Sequence, residues 1–309
     1  MKLFIQYLFF FLFISVNAQN LAQQLGYAPD SKLLIIHADD IGVAQGVNNA
    51  SFSAFQKGAI NSGSVMVPCP WFLEVAEFAK KNPKYDLGLH LTLTSEWKNY
   101  KWDGISSSNE ISSLLNEKGH FYPSIEEVKI NATYDDVKKE LRAQVNYAKN
   151  FGFNPTHLDT HMGAVLVRQD ITKAYFEIGE EFRIPVLAAT IFKDLVNLDG
   201  IDESKIVWVQ KVYQKSDDTP IDRENWDIFY SNVIKDIKPG LNVLLVHLGD
   251  DTPELKQMMV DHPGWGAKWR ALDSEVLESS TFKKLMKQEN IQLVQWNQIK
   301  KVIYPLIKF

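Results

Sequence analysis

Cysteine is nearly absent: the 309 residues hold one, Cys69, set between Pro68 and Pro70. A lone thiol excludes an intrachain disulfide framework and a zinc–thiolate site, so the fold must rest on its apolar core. Lys/Arg-rich runs are missing too, and the net charge is −5 with a pI near 5.8. That balance argues against nucleic acid or an anionic membrane surface as the partner. Internal repeats and low-complexity linkers are absent, which leaves no solenoid and no obvious domain boundary. Long hydrophobic runs are lacking past residue 18, so no membrane span is expected in the mature chain; a span needs about 20 apolar residues.

The one long apolar run is N-terminal. Lys2 precedes a Phe- and Leu-rich core from Tyr7 to Val16, followed by Val16-Asn17-Ala18. This charge–apolar–small order reads as a signal peptide over residues 1–18, cleaved before Gln19. The protein is therefore expected to be exported, either periplasmic or secreted. No Cys stands at the cleavage point, so a lipid anchor is not indicated.

What is present is a regular alternation. Leu33-Leu34-Ile35-Ile36-His37-Ala38 is a continuous apolar run, as in a strand buried on both faces, and it enters Asp39-Asp40-Ile41-Gly42 directly. Residues 43–57 follow with helical spacing and stop at Gly58. Strands are expected at 62–67, 86–92, 156–163, 184–188, 242–249 and 291–296. Helices are expected at 71–81, 133–152, 170–182, 222–237 and 274–288, with a last one at the C-terminus. Residues 203–215 read either way. Residues 94–123 lose all periodicity yet carry Trp97, Tyr100, Trp102, Phe121 and Tyr122, and a connection this long is usually functional. Alternating strand and helix predicts a parallel sheet. About seven such units in one α/β domain favour closure, giving an irregular (β/α) TIM-like barrel over residues 24–309.

In such folds the carboxyl ends of the strands carry the chemistry. Asp40, His90 and His161 each follow an apolar strand and would meet on one rim. One carboxylate and two imidazoles make a facial site for a single divalent ion, with positions open for water and substrate. Asp39, on the same turn, is placed to take a proton from that water, and His247, ending another strand, to protonate a leaving group. His157-x-Asp159-x-His161 has the spacing of one strand face, which puts Asp159 beside the ligands. Each position also has a bland reading, as a helix cap or a hydrogen-bonded core histidine; the joint pattern is what points to metal chemistry.

These four stretches, Ala38-Asp39-Asp40-Ile41-Gly42, Gly88-Leu89-His90-Leu91-Thr92, Thr156-His157-Leu158-Asp159-Thr160-His161-Met162-Gly163 and Val246-His247-Leu248-Gly249, occur in the order seen in the YdjC-like (ChbG/HpnK) carbohydrate deacetylases, a family the chain resembles over nearly its whole length after the leader. The resemblance implies an irregular (β/α) barrel and metal-dependent removal of N-acetyl groups from amino sugars, with chitooligosaccharide-like substrates. It implies Asp39 as general base, Asp40, His90 and His161 as metal ligands, and His247 as catalytic acid. Mg²⁺ is the ion the family suggests; two imidazoles suit Zn²⁺ at least as well. A homodimer is compatible with it.

Two positions depart from the family pattern. Met162-Gly163 stand where further histidines are common, and His247-Leu248-Gly249 replaces a His-Pro-Gly. A literal His262-Pro263-Gly264 lies further on, but His262 falls in a polar loop, whereas His247 ends a strong strand. Trp97, Trp102, Trp265 and Trp269 are candidates to stack on sugar rings, and Arg168 to clamp substrate. The competing readings are an exported sugar-binding protein with a structural metal, or another metal-dependent amidohydrolase. Glycoside hydrolysis is disfavoured, because carboxylates adjacent on one turn cannot flank a scissile bond.

Overall fold

A computed structural model describes residues 20–193, 196, 198–215, 219–262 and 264–305. The expected leader lies outside them. Nine strands are described: β1 (Lys32–Ile41), β2 (Ser62–Val65), β3 (Leu87–Leu91), β4 (Leu158–Thr160), β5 (Leu187–Ala189), β6 (Val207–Val209), β7 (Lys211–Tyr213), β8 (Gly240–Val246) and β9 (Gln292–Leu293). Helices separate most of them, as the alternation predicts. All ladders are parallel, in the order β4-β3-β2-β1-β8-β7. The sheet curls through 221°. A separate β5–β6 ladder continues past β4 through a bridge between Leu158 and Val186. The sheet is thus a half-barrel, irregular on that side, in one α/β unit.

β1 is the axis of this arrangement. It is the longest strand, and all but Lys32 are buried, as its unbroken apolar run requires. It pairs β8 along Lys32–Ala38, β9 at Leu33–Leu34 and β2 from His37 onward. A short strand could not serve three neighbours. The helix Phe72–Lys81 packs Phe72, Val75 and Ala76 inward, and Tyr134–Asn150, capped by the Thr133 hydroxyl on the Asp136 amide, packs Val137, Leu141 and Val145. Among the described residues no helix is long and apolar enough to cross a membrane.

Two expectations change. The helix expected over 274–288 is two, Ala267–Glu278 and Ser280–Gln288, because Ser279 adopts an extended backbone and caps the second through its hydroxyl. The ambiguous 203–215 stretch holds β6 and β7.

Candidate metal and catalytic site

Successive strand residues normally face opposite sides of a sheet, so adjacent aspartates should not share a site. Here they do, because β1 ends irregularly. Its register with β2 slips between Ala38 and Ile41, and Asp40 sits in the left-handed region at φ 58°. Such irregularities re-aim side chains and cluster at functional sites. Gly42, at φ 96°, completes the turn, and its amide is held by Asn48 Oδ1 at 2.7 Å.

Asp40 Oδ1 lies 3.4 Å from His90 Nε2 and 3.2 Å from His161 Nδ1, and the two ring nitrogens are 3.3 Å apart. Their outer nitrogens fix the tautomers. His90 Nδ1 donates to Asp159 Oδ1 at 2.8 Å, and His161 Nε2 to Glu96 Oε2 at 3.0 Å. When the rings are neutral each inner nitrogen presents a lone pair, the carboxylate-backed arrangement usual for metal-bound histidine. Asp40 Oδ1 is buried and makes no hydrogen bond. With both rings neutral, three acceptors therefore face one point. Their separations match the face of a tetrahedral site with bonds of about 2.0–2.1 Å, whose edges are about 3.3–3.4 Å. The residues fit a small divalent cation.

Charge is arranged around this point by residues the sequence reading passed over. Arg270 Nη2 donates to Asp40 Oδ2 at 2.7 Å. Burial opposes the Asp40 charge, but Arg270 and then the two histidines more than offset it, holding the carboxyl well below its usual range. Burial likewise opposes protonation of His90 and His161. Asp159 outweighs it at His90, whose pKa lies well above the ordinary value, and Glu96 and then Asp40 raise His161 to about 9.

Beside the triad stands a second pair. Asp39 Oδ1, buried and without a hydrogen bond, lies 3.3 Å from His247 Nε2. Burial first, then the Asp40 charge, raises Asp39 to about 8, while burial drops His247 to about 3. At neutral pH and without added positive charge, the pair keeps its proton on the aspartate. The His247 backbone amide donates to Asp273 Oδ2 at 3.1 Å, and Asp273 is itself held by Trp226 Nε1 and Tyr230 Oη, each at 2.7 Å.

The structure brings Asp39, Asp40, His90, Asp159, His161 and His247 together. It does not bring His262, whose nearest charged neighbour is Asp261 at 3.8 Å. Asp159 supports His90, but β4 ends at Thr160, and His161 opens a 3₁₀ turn rather than continuing the strand face. Trp97, Trp102 and Trp269 are buried in the core, so the stacking expected of them is corrected: little ring surface is left for a sugar. Arg168 is spent on Asp170 and on the carbonyls of Lys129 and Ala132. Only Trp265 among these tryptophans is half-buried. Arg270 and Asp273 escaped notice because they sit on a helix, away from any strand end; their i, i+3 spacing was the available signal.

Strand-end acidic and histidine groups on a curled parallel sheet define an α/β protein with a metal-type centre. The YdjC-like protein profile matches residues 33–288, and the chain belongs to that family. A carbohydrate deacetylase of Thermus thermophilus is 37% identical over 165 residues, 53% of this chain and 56% of that protein. The corresponding segment covers 58% of a carbohydrate deacetylase of Geobacillus stearothermophilus, 32% identical over 49% of this chain. One of Thermoanaerobacter pseudethanolicus is 25% identical over 90% of this chain and all of its own length. In fold the chain resembles a crystal structure of an Enterococcus faecalis protein ascribed to cellobiose-phosphate cleavage, with a TM-score of 0.73 at 21% identity, over 87% of this chain and 99% of that one.

Proposed function

We propose that the protein is a metal-dependent carbohydrate deacetylase that hydrolyses N-acetyl groups of amino sugars, with chitooligosaccharide-like substrates. The observation that carries this is the pairing of a convergent Asp40–His90–His161 triangle with a separate buried acid–base pair, Asp39 and His247. Relatives named carbohydrate deacetylase, and one of Yersinia enterocolitica named chitooligosaccharide deacetylase, support the substrate class.

When bound, the divalent cation supplies a Lewis acid for the amide carbonyl and acidifies a water. Asp40, His90 and His161 hold it, and Asp159 and Glu96 orient the imidazoles. Asp39 must be ionised to act as base; positive charge at the triad lowers its pKa from about 8 and releases its proton. Asp39 then takes a proton from the attacking water as the new C–O bond forms. Asp39 shares that proton with His247 Nε2, 3.3 Å away, and the nitrogen, made basic as the carbonyl carbon becomes tetrahedral, draws it through His247 as the C–N bond breaks. The second proton of the attacking water also passes to the amine, so acetate and an ammonium leave, and both residues return to their starting states.

The ion is read as zinc or another transition metal rather than magnesium. Two imidazole donors favour it, since magnesium prefers oxygen ligands. The order of residues at the N-terminus supports export, tested by mass spectrometry of protein from its native host: a start at Gln19 is expected. The decisive experiment is acetate release from a panel of acetylated amino sugars with and without chelator. Release that chelator leaves unchanged would overturn the metal reading, and no release from any sugar would overturn the substrate class.

A further inference from the structure

Trp265 is bulky, yet its backbone lies in the left-handed region at φ 65°. For such a residue this is a strained state that persists only when its surroundings impose it. Those surroundings belong to the site. The Trp265 carbonyl accepts from Arg270 Nε at 2.8 Å, and the same guanidinium holds Asp40 through Nη2 at 2.7 Å. The indole meets the His247 ring at 4.6 Å and 72°, and stacks on buried Trp269 at 4.9 Å and 24°. Trp269 is fully enclosed, whereas Trp265 keeps part of its surface in solvent. One guanidinium thus ties the backbone that carries this indole to the Asp40 carboxylate, and the indole itself lies against the His247 ring. Core packing alone would not need a strained backbone to leave an indole half-exposed.

We propose that Trp265 is the platform on which a sugar ring of the substrate stacks, setting the amide over the metal centre. The C–H edges of a pyranose face carry partial positive charge and suit the negative face of an indole, which also removes apolar surface from water. The inference rests on the amino-sugar reading and deepens it.

The test uses the glucosamine dimer, which lacks the amide and so binds without being turned over. Trp265→Gly keeps the left-handed backbone at no steric cost, so any loss reports the ring. Isothermal titration of the metal-loaded full chain should show Kd rising about 30-fold in Trp265→Gly and staying within about threefold in Trp265→Phe, the scale of a central aromatic anchor. Metal content should be equal in all three proteins. Unchanged affinity in Trp265→Gly, a Phe variant no better than Gly, loss of metal along with sugar, or a wild type that ignores the dimer would each overturn the platform. Dimer binding without acetate release from any acetylated sugar would instead remove the deacetylase reading and leave the platform standing.

Discussion

Two histidine clusters sit a few ångströms apart in this protein, and their difference separates a metal site from a polar core. Asp40, His90 and His161 form one; His37, His157 and Asp159 form the other, and in each the potential ligand atoms lie within 4.8 Å of one another. Residue type and spacing do not distinguish them. Hydrogen bonds do. In the inner cluster His37 is held by Ser62 and Ser64 at 3.1 and 3.0 Å and by Asp159 at 2.8 Å. Asp159 also accepts from Ser64 and His90, each at 2.8 Å, so both of its oxygens are spent. His157 stacks on Trp296 and lies against Gly88, where any side chain would strike its ring. In the outer cluster the inner-facing atoms are those left over after every other bond is made. The inner cluster leaves one buried atom without a partner, His157 Nε2, whereas the outer one turns three facing atoms on a single point.

The largest effect that sharpens this contrast is chemical. Asp39→Asn should keep its metal and slow acetate release by about 10²–10⁴, the usual contribution of a general base, and His247→Ala should behave alike. A variant that lost metal in step with rate would place Asp39 among the ligands. Next comes His161→Ala, which should weaken metal binding by more than about 100-fold, since losing an outer partner alone costs about 10–100-fold. His157→Ala should leave metal content unaltered; the reverse pattern by elemental analysis would exchange the roles of the two clusters. Asp159→Asn, shared between them, should fall in that same range of about 10–100-fold.

A smaller effect is graded by pH. With His161 raised to about 9 and His90 well above its ordinary value, the metal-free protein carries protons that the cation must displace. Protonated forms dominate below about pH 9, so affinity should rise with pH, by at least about tenfold per unit between 7 and 9. Calorimetry in buffers of different ionisation heat should show proton release at pH 7; pH-independent binding would show that the metal-free histidines are not protonated. The smallest effect is at His262, a half-buried loop residue outside the cluster, where Ala should leave turnover within about twofold.

The outer cluster was legible in the sequence because each of its members follows a short apolar run, and strand ends in a parallel sheet converge. The same logic carried the fold, since strand–helix alternation has few solutions. What was not legible depended on the backbone or on distant packing. No pattern in Asp39-Asp40 announces the left-handed Asp40 that lets both side chains face one site. Arg270 and Asp273 reach the centre from a helix whose start was itself misplaced. Trp97 and Trp102 sit in an aperiodic stretch that suggested an open loop, yet their rings pack on each other and Trp102 Nε1 donates to the Thr94 carbonyl at 2.7 Å.

The pairing of β1 has a kinetic meaning. Its upstream half is flanked by β8 and β9, more than two hundred residues later in the chain, and only its downstream half meets the adjacent β2. Contacts of such sequence separation form slowly, because loop-closure entropy is lost before they reward it. A chain ending before residue 240 would leave β1 an open edge carrying both aspartates, and would lack Arg270 to hold one of them. The site written first in the chain is therefore among the last parts to be assembled, and shortened or nascent chains expose a hydrophobic strand where the finished protein keeps its chemistry.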